Sequence, residues 1–340
     1  MLLHRLAAVA LLAFLAACAG RPLEQEIERH PANVLPLGAS QIFDARVDRL
    51  RENPLATLIY DQAKRLELGS SLKGTSQTLQ LVGNATHLVL GLYTGDRPEP
   101  AAVAVATGRF NDEAFRKALE SARIPYVTDR YGDRQFYTCG RGDARCYVCF
   151  SSKQLVVAAS QEDLLKHTLD LSRRRSKSMT SDRLFAPLLN SYAPNLDFWA
   201  TGAFPSHLAG ALGAQLQSAL QMIQAFTIKL SGDDKTRFGL ILRCATGEAA
   251  QANAAILKNL LGSLAQDVVD TGYNIPDLLN ALKASQIVVE GTSADFKMEM
   301  TKAELAATAK AFQAEPTAPA PPAFGPLPPG IAPRGLGPLR

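Results

Sequence analysis

Residues 226–244, Phe-Thr-Ile-Lys-Leu-Ser-Gly-Asp-Asp-Lys-Thr-Arg-Phe-Gly-Leu-Ile-Leu-Arg-Cys, decide the reading of the fold. Phe226, Ile228 and Leu230 alternate with polar residues. Phe238, Leu240 and Leu242 keep the same period-two spacing beyond Gly232-Asp233-Asp234, with Gly239 and Ile241 between them. Period-two alternation turns one strand face to a core and the other to water, and a Gly/Asp turn between two such runs predicts an antiparallel hairpin. Hairpins interleaved with helices, without long parallel crossovers, predict an α+β fold.

The same logic extends outward. Asp197–Phe204 precedes the hairpin as a strand, and a helix from Ser206 is expected to carry Leu208, Leu212, Leu216, Leu220 and Ile223 on one stripe. A long helix through Ile256, Leu257, Leu260, Leu261, Leu264 and Val268 follows. Strands Ile287–Gly291 and Phe296–Met300 lead to a helix capped by Thr301 and Glu304. The first half repeats this order. It has a strand at Gln41–Val47, a helix opened by Asn53-Pro54, and strands His87–Tyr93 and Ala101–Thr107. Next come a helix capped by Asn111, short strands including Phe136–Cys139, Arg145–Phe150 and Gln154–Ala159, and a helix begun by Ser160 and Asp163. The expectation is two similar units of antiparallel sheet with helices on one face, spanning 39–178 and 179–313. In layout the body loosely resembles exported bacterial proteins built from duplicated α+β units.

The N-terminus gives an address. After His4 and Arg5 comes an apolar run, Leu6–Phe14, too short to span the ~30 Å hydrocarbon layer, followed by small residues. Leu15-Ala16-Ala17-Cys18 resembles the lipobox of bacterial lipoproteins. That resemblance implies cleavage after residue 17, a diacylglycerol on Cys18 and an acylated amine, and hence stable membrane attachment. Ala19 rather than Asp implies outer-membrane sorting, with the chain facing the periplasm. Residues 18–38 read as a tether. Residues 314–340, with nine of the chain's twenty prolines, read as a disordered tail.

A net charge of +4 over 340 residues is too dilute for a nucleic-acid partner. Of five cysteines, four remain beyond Cys18: Cys139, Cys146, Cys149 and Cys244. An exported chain meets oxidising conditions, so disulfides are expected. Cys139 and Cys146 flank a turn and could bridge a hairpin, leaving Cys149 and Cys244 to link the halves. The Cys146-x-x-Cys149 spacing fits neither a redox motif nor zinc, because a strand turns those positions to opposite faces and no second ligand pair accompanies them. No cofactor is expected.

Ser70-Ser71-Leu72-Lys73 has the Ser-x-x-Lys spacing of penicillin-binding proteins and β-lactamases. Its companions are missing: there is no Ser-Asp-Asn, and Arg237 stands where that family's third motif has Gly. His30, His87, His167 and His207 are scattered, and His87 reads as a packed or edge residue. Arg123, Tyr126, Arg130, Arg134, Tyr137, Arg145 and Tyr147 mix the residue types that protein interfaces favour, and they are the candidate contact surface. The leading expectation is therefore a non-enzymatic, lipid-anchored envelope protein that binds another envelope protein, a lipid or a polymer. One alternative is a cell-wall hydrolase using Ser70 and Lys73. Another is a lipid carrier with a cavity lined by Leu212, Leu216, Leu240 and Leu242.

Overall fold

A computed structural model describes residues 23–53, 84–94, 101–142, 145–173, 175–183, 185–204, 220, 222–232, 235–270 and 275–313. Cys18, Ser70, Lys73, Leu212, Leu216, His207 and the proline-rich tail lie outside the described residues.

The fold is α+β, built on antiparallel strands. The strands are β1 (Gln41–Ala45), β2 (Ala85–Tyr93), β3 (Ala101–Gly108), β4 (Tyr126–Tyr131), β5 (Arg134–Cys139) and β6 (Cys146–Ser152), then β7 (Leu155–Ala159), β8 (Phe198–Ala203), β9 (Ile223–Gly232), β10 (Lys235–Cys244), β11 (Gln286–Glu290) and β12 (Ser293–Thr301). All twelve join one sheet, in the order β11-β12-β10-β9-β8-β1-β2-β3-β7-β6-β5-β4. The quoted hairpin is β9–β10, with Phe238 opposite Leu230 and Leu242 opposite Phe226.

The two halves meet where β1 pairs with β8, Gln41 opposite Gly202 and Asp44 opposite Trp199. Outward from this seam the first half places β1, β2, β3, β7, β6, and the second places β8, β9, β10, β12, β11. The strand order is thus repeated, and the first half adds the hairpin β4–β5 beyond it.

Eight helices are present among the described residues: α1 (Leu23–Arg29), α2 (Val47–Glu52), α3 (Asp112–Ser121), α4 (Glu162–Leu171), α5 (Ala186–Leu189), α6 (Gly247–Asp270), α7 (Pro276–Ala284) and α8 (Lys302–Gln313). After β8 the helices of the second half cover one face, where Ala249 and Ala250 of α6 pack with Ala200, Phe226, Leu242 and Ala294, while Leu189 of α5 packs on the other. In the first half they cover both. Leu164, Leu165 and Leu169 of α4 join Val103, Val105, Leu155 and Val157, whereas Phe115 and Leu119 of α3 join Tyr137, Val148 and Val156 on the opposite side. The β-period explains this. Leu155, Val156 and Val157 are consecutive and all buried, so neither face of β7 can meet water.

Two boundaries need correction. Residues 23–38 are not a tether. Leu23 and Ile27 of α1 and Ala32, Val34 and Leu35 around a short 3-10 turn (Pro31–Val34) are buried in the main core. Nor does a unit boundary fall at 178/179: Met179, Leu189 and Leu196 belong to that same core, and Pro36 bridges to Ser178. The apolar spacing of Leu23 and Ile27, i and i+4 on one helical face, is the signal that the charged composition obscured.

Local starts were read with mixed success. Asn111 accepts the Ala114 N–H at 3.1 Å, and Thr301 and Glu304 cap each other's backbone at 3.2 and 2.7 Å. Ser160 instead accepts the Ala102 N–H at 2.9 Å and α4 starts at Glu162, while Asn53 closes α2; the helices expected after Asn53-Pro54 and from Ser206 lie outside the described residues.

Candidate functional site

The most concentrated chemistry in the described residues is a buried charged cluster at the seam. β1 turns Ile42 and Asp44 inward, and β2 turns His87, Val89 and Tyr93 to the same side. Register sets Asp44 opposite Val89, so His87 lies diagonally across the ladder. The imidazole Nε2 hydrogen-bonds the Asp44 carboxylate, and Nδ1 lies 3.3 Å from Oε1 of Glu28 on α1. The other oxygen of Glu28 accepts from Arg46, just after β1, at 2.7 Å. One oxygen of Asp44, Nε of Arg46 and the Tyr192 hydroxyl are buried without a hydrogen-bond partner that meets good geometry.

An aromatic group closes the site from the 190–199 segment. Tyr192 and Trp199 lie 5.4 Å apart edge to face, and His30 packs 4.7 Å from Tyr192 and 5.9 Å from Trp199. Trp199 is fully buried and donates Nε1–H to Ser191 at 3.1 Å. His30 accepts the Ala32 N–H on Nδ1 and faces the Leu189 carbonyl with Nε2, which fixes the Nε2–H tautomer.

The electrostatics follow from these contacts. Partial burial pushes the Glu28 carboxyl up, but hydrogen bonds and charge from Arg46 and His87 outweigh it and hold the group below its ordinary value. Burial pushes His30 down, more than its bond to Leu189 and the nearby Asp44 charge raise it. Burial and the Asp44 charge push Tyr192 up despite Arg46.

Both nitrogens of His87 are engaged by carboxylates, those of Asp44 and Glu28. A nucleophile-activating His needs one nitrogen facing a hydroxyl or thiol. Among the described residues His87 gives neither nitrogen to such a group, and the cluster acts as a clamp that ties α1 to the sheet. Among the described residues no group of three or more His, Cys, Asp or Glu side chains converges as a metal site.

The sequence-derived contact residues do not form one surface. Tyr137 is buried against Phe115, and Tyr126 stacks on it at 5.9 Å while donating to Glu120. Burial and Asp112 push the Tyr137 hydroxyl up to about 12. On the other face Arg134 reaches Ser172 at 3.3 Å, and Tyr147 packs towards Phe136. Strand alternation splits the set, leaving Arg123, Arg130 and Arg145 exposed. Arg130 lies on β4, the end strand of the sheet, beside Val127, which is 62% exposed. Of the basic run after α4, Arg173 pairs with Asp133.

The four described cysteines are free thiols rather than the expected disulfides. Cys139 and Cys146 face each other across β5–β6 as register partners, as the hairpin reading required. Cys149 and Cys244 cannot link the halves: Cys149 lies in the core under α4, and Cys244 lies in the core under α6 on the opposite side of the sheet. Leu240 and Leu242 pack under α6 as well. A polar cleft of about 230 Å³ lies between α1 and residues 176–181, lined by Glu26, Asn33, Lys177 and Ser181.

No family model and no curated protein matches the chain. Among solved structures, crystal form IV of TP0453 aligns at a TM-score of 0.46 and 14% identity, over 82% of this chain and 95% of that one.

Proposed function

We propose that the chain is a lipid-anchored envelope protein, attached through Cys18, that acts as a non-enzymatic binding or scaffold protein for another envelope protein. One observation carries the reading: α1 begins at Leu23, five residues after the lipobox cysteine, and is locked into the body by Leu23, Ile27 and Glu28. Five residues reach at most about 18 Å, so a lipid on Cys18 holds the body against the membrane surface rather than on a leash. A partner protein is engaged at the β4 end of the sheet, where exposed Val127 and Arg130 lie on a strand whose outer edge pairs with no other strand among the described residues and suits strand addition. Outer-membrane placement, facing the periplasm, follows from Ala19 under the same resemblance.

The test combines labelling with capture. Cells expressing the chain receive an alkyne-tagged palmitate, and solubilised envelopes are then affinity-purified. Label on the wild type, its loss in Cys18→Ser, and a co-purifying envelope protein lost in Arg130→Glu support the proposal. Unlabelled, soluble wild type overturns the anchor. Capture unaffected by Arg130→Glu and by Val127→Asp overturns the contact surface.

A further inference from the structure

We propose that Cys139 and Cys146 form a redox-active cross-strand dithiol, in which Cys146 takes up a disulfide from a donor and Cys139 resolves it. The pair is directly opposed in the β5–β6 register. Opposed residues in antiparallel ladders have Cα atoms about 4.5 or 5.5 Å apart, both inside the roughly 4.4–6.8 Å that a disulfide spans. The intervening turn contains Gly140 at φ +84° and Gly142 at φ +56°, so the reversal is made by residues free to adopt that backbone.

The two thiols are not equivalent. Cys146 is exposed and Cys139 is buried. The hydrogen bond from Cys139 lowers the Cys146 thiol against the effect of burial, while that bond and burial both raise Cys139. Cys146 is therefore the accessible sulfur and the more acidic of the two, and the thiolate is the form that attacks. Cys149 takes no part: it is buried on the other face, donates to the Gln135 carbonyl at 3.3 Å, and is pushed up to about 11 by burial.

The steps balance as two exchanges. The Cys146 thiolate attacks one sulfur of the donor disulfide. The donor S–S bond breaks, the mixed disulfide forms, and the departing sulfur takes a proton from water. Cys139 then gives its proton to water and attacks the Cys146 sulfur, expelling the second donor thiolate, which is protonated. Two protein thiols are oxidised by two electrons and one donor disulfide becomes two thiols. Closure ties β5 to β6 at the position where Tyr126 of β4 pairs with Cys139. The chemistry stands whether or not the chain is exported.

The test uses the reduced, folded full chain carrying Cys18→Ser, equilibrated with oxidised and reduced glutathione, quenched with an alkylating reagent and mapped by mass spectrometry. The expected product is a Cys139–Cys146 disulfide, with Cys149 and Cys244 recovered alkylated. Cys139→Ser traps glutathione on Cys146, and Cys146→Ser slows oxidation of Cys139 by roughly tenfold or more, since the thiolate is the nucleophile. Full alkylation of both thiols across the glutathione series overturns the proposal, as does a bridge to Cys149. The wild-type map decides even where a variant fails to fold.

Discussion

The imidazole of His87 and the carboxylate of Asp44 meet across the β1–β2 ladder with each side chain only 1% exposed. Breaking a buried pair by removing one partner leaves an uncompensated group in the interior and costs about 3–5 kcal/mol. His87→Ala is expected to destabilise the protein by that order. A double replacement by apolar residues, Asp44→Leu with His87→Leu, is expected to recover much of the loss. Urea denaturation followed by Trp199 fluorescence measures both. Equal midpoints for wild type and His87→Ala would mean that the clamp contributes nothing to stability.

Acid is expected to weaken the fold in two stages. His30 is held neutral below its usual range by burial, so as pH falls from about 6.5 the unfolded chain binds a proton that the folded chain refuses. Stability therefore rises with pH across that window and is complete above it. Glu28 is depressed chiefly by Arg46, which outweighs its partial burial. Its contribution is complete above the unfolded carboxylate value of about 4.3 and is lost as pH falls through the folded one. Urea midpoints between pH 8 and 4 check this, and His30→Gln should flatten the upper stage alone.

Gly202→Ala is expected to be among the most damaging small changes. A Cβ there would stand 2.4 Å from the Ser40 carbonyl oxygen and 2.6 Å from Cα of Gln41, both backbone atoms of the seam. Relief requires β1 and β8 to part, and overpacking of this kind costs about 1–3 kcal/mol or more. Gly142→Ala meets no neighbour within 4 Å but still strains a φ of +56°. It serves as the milder comparison in thermal unfolding.

Asn111→Ala should cost about 1 kcal/mol by uncapping α3. Ser160→Ala should leave α4 helicity unchanged, because that hydroxyl serves Ala102 on β3 and not the helix. Circular dichroism melts of the two variants separate these roles.

Strand alternation and caps made most of the sheet legible before any coordinates. The hairpin β9–β10 and strands β3, β7 and β12 fall within three residues of their expected limits. On β2 the visible leucines misled. Leu88, Leu90 and Leu92 form the half-buried face, whereas His87, Val89, Gly91 and Tyr93 form the fully buried one. A polar residue in that row left open a packed or an edge position, and His87 proves packed. The partners that make it tolerable, Asp44 and Glu28, sit 43 and 59 residues away. No local pattern reports a pairing over that distance. Likewise the Tyr/Arg set was gathered by nearness along the chain, and alternation dispersed it.

The added β4–β5 hairpin also bears on self-association. Two identical halves joined at the β1–β8 seam would be related by a local dyad, and the sheet would end in the same strand twice. Instead it ends in Tyr126–Tyr131 on one side and Gln286–Glu290 on the other. Unlike ends that meet head to tail generate open filaments rather than closed dimers. Glu290, exposed at the β11 end, places charge on one of the two edges such growth would need and acts against it, leaving the β4 edge for a partner of different sequence.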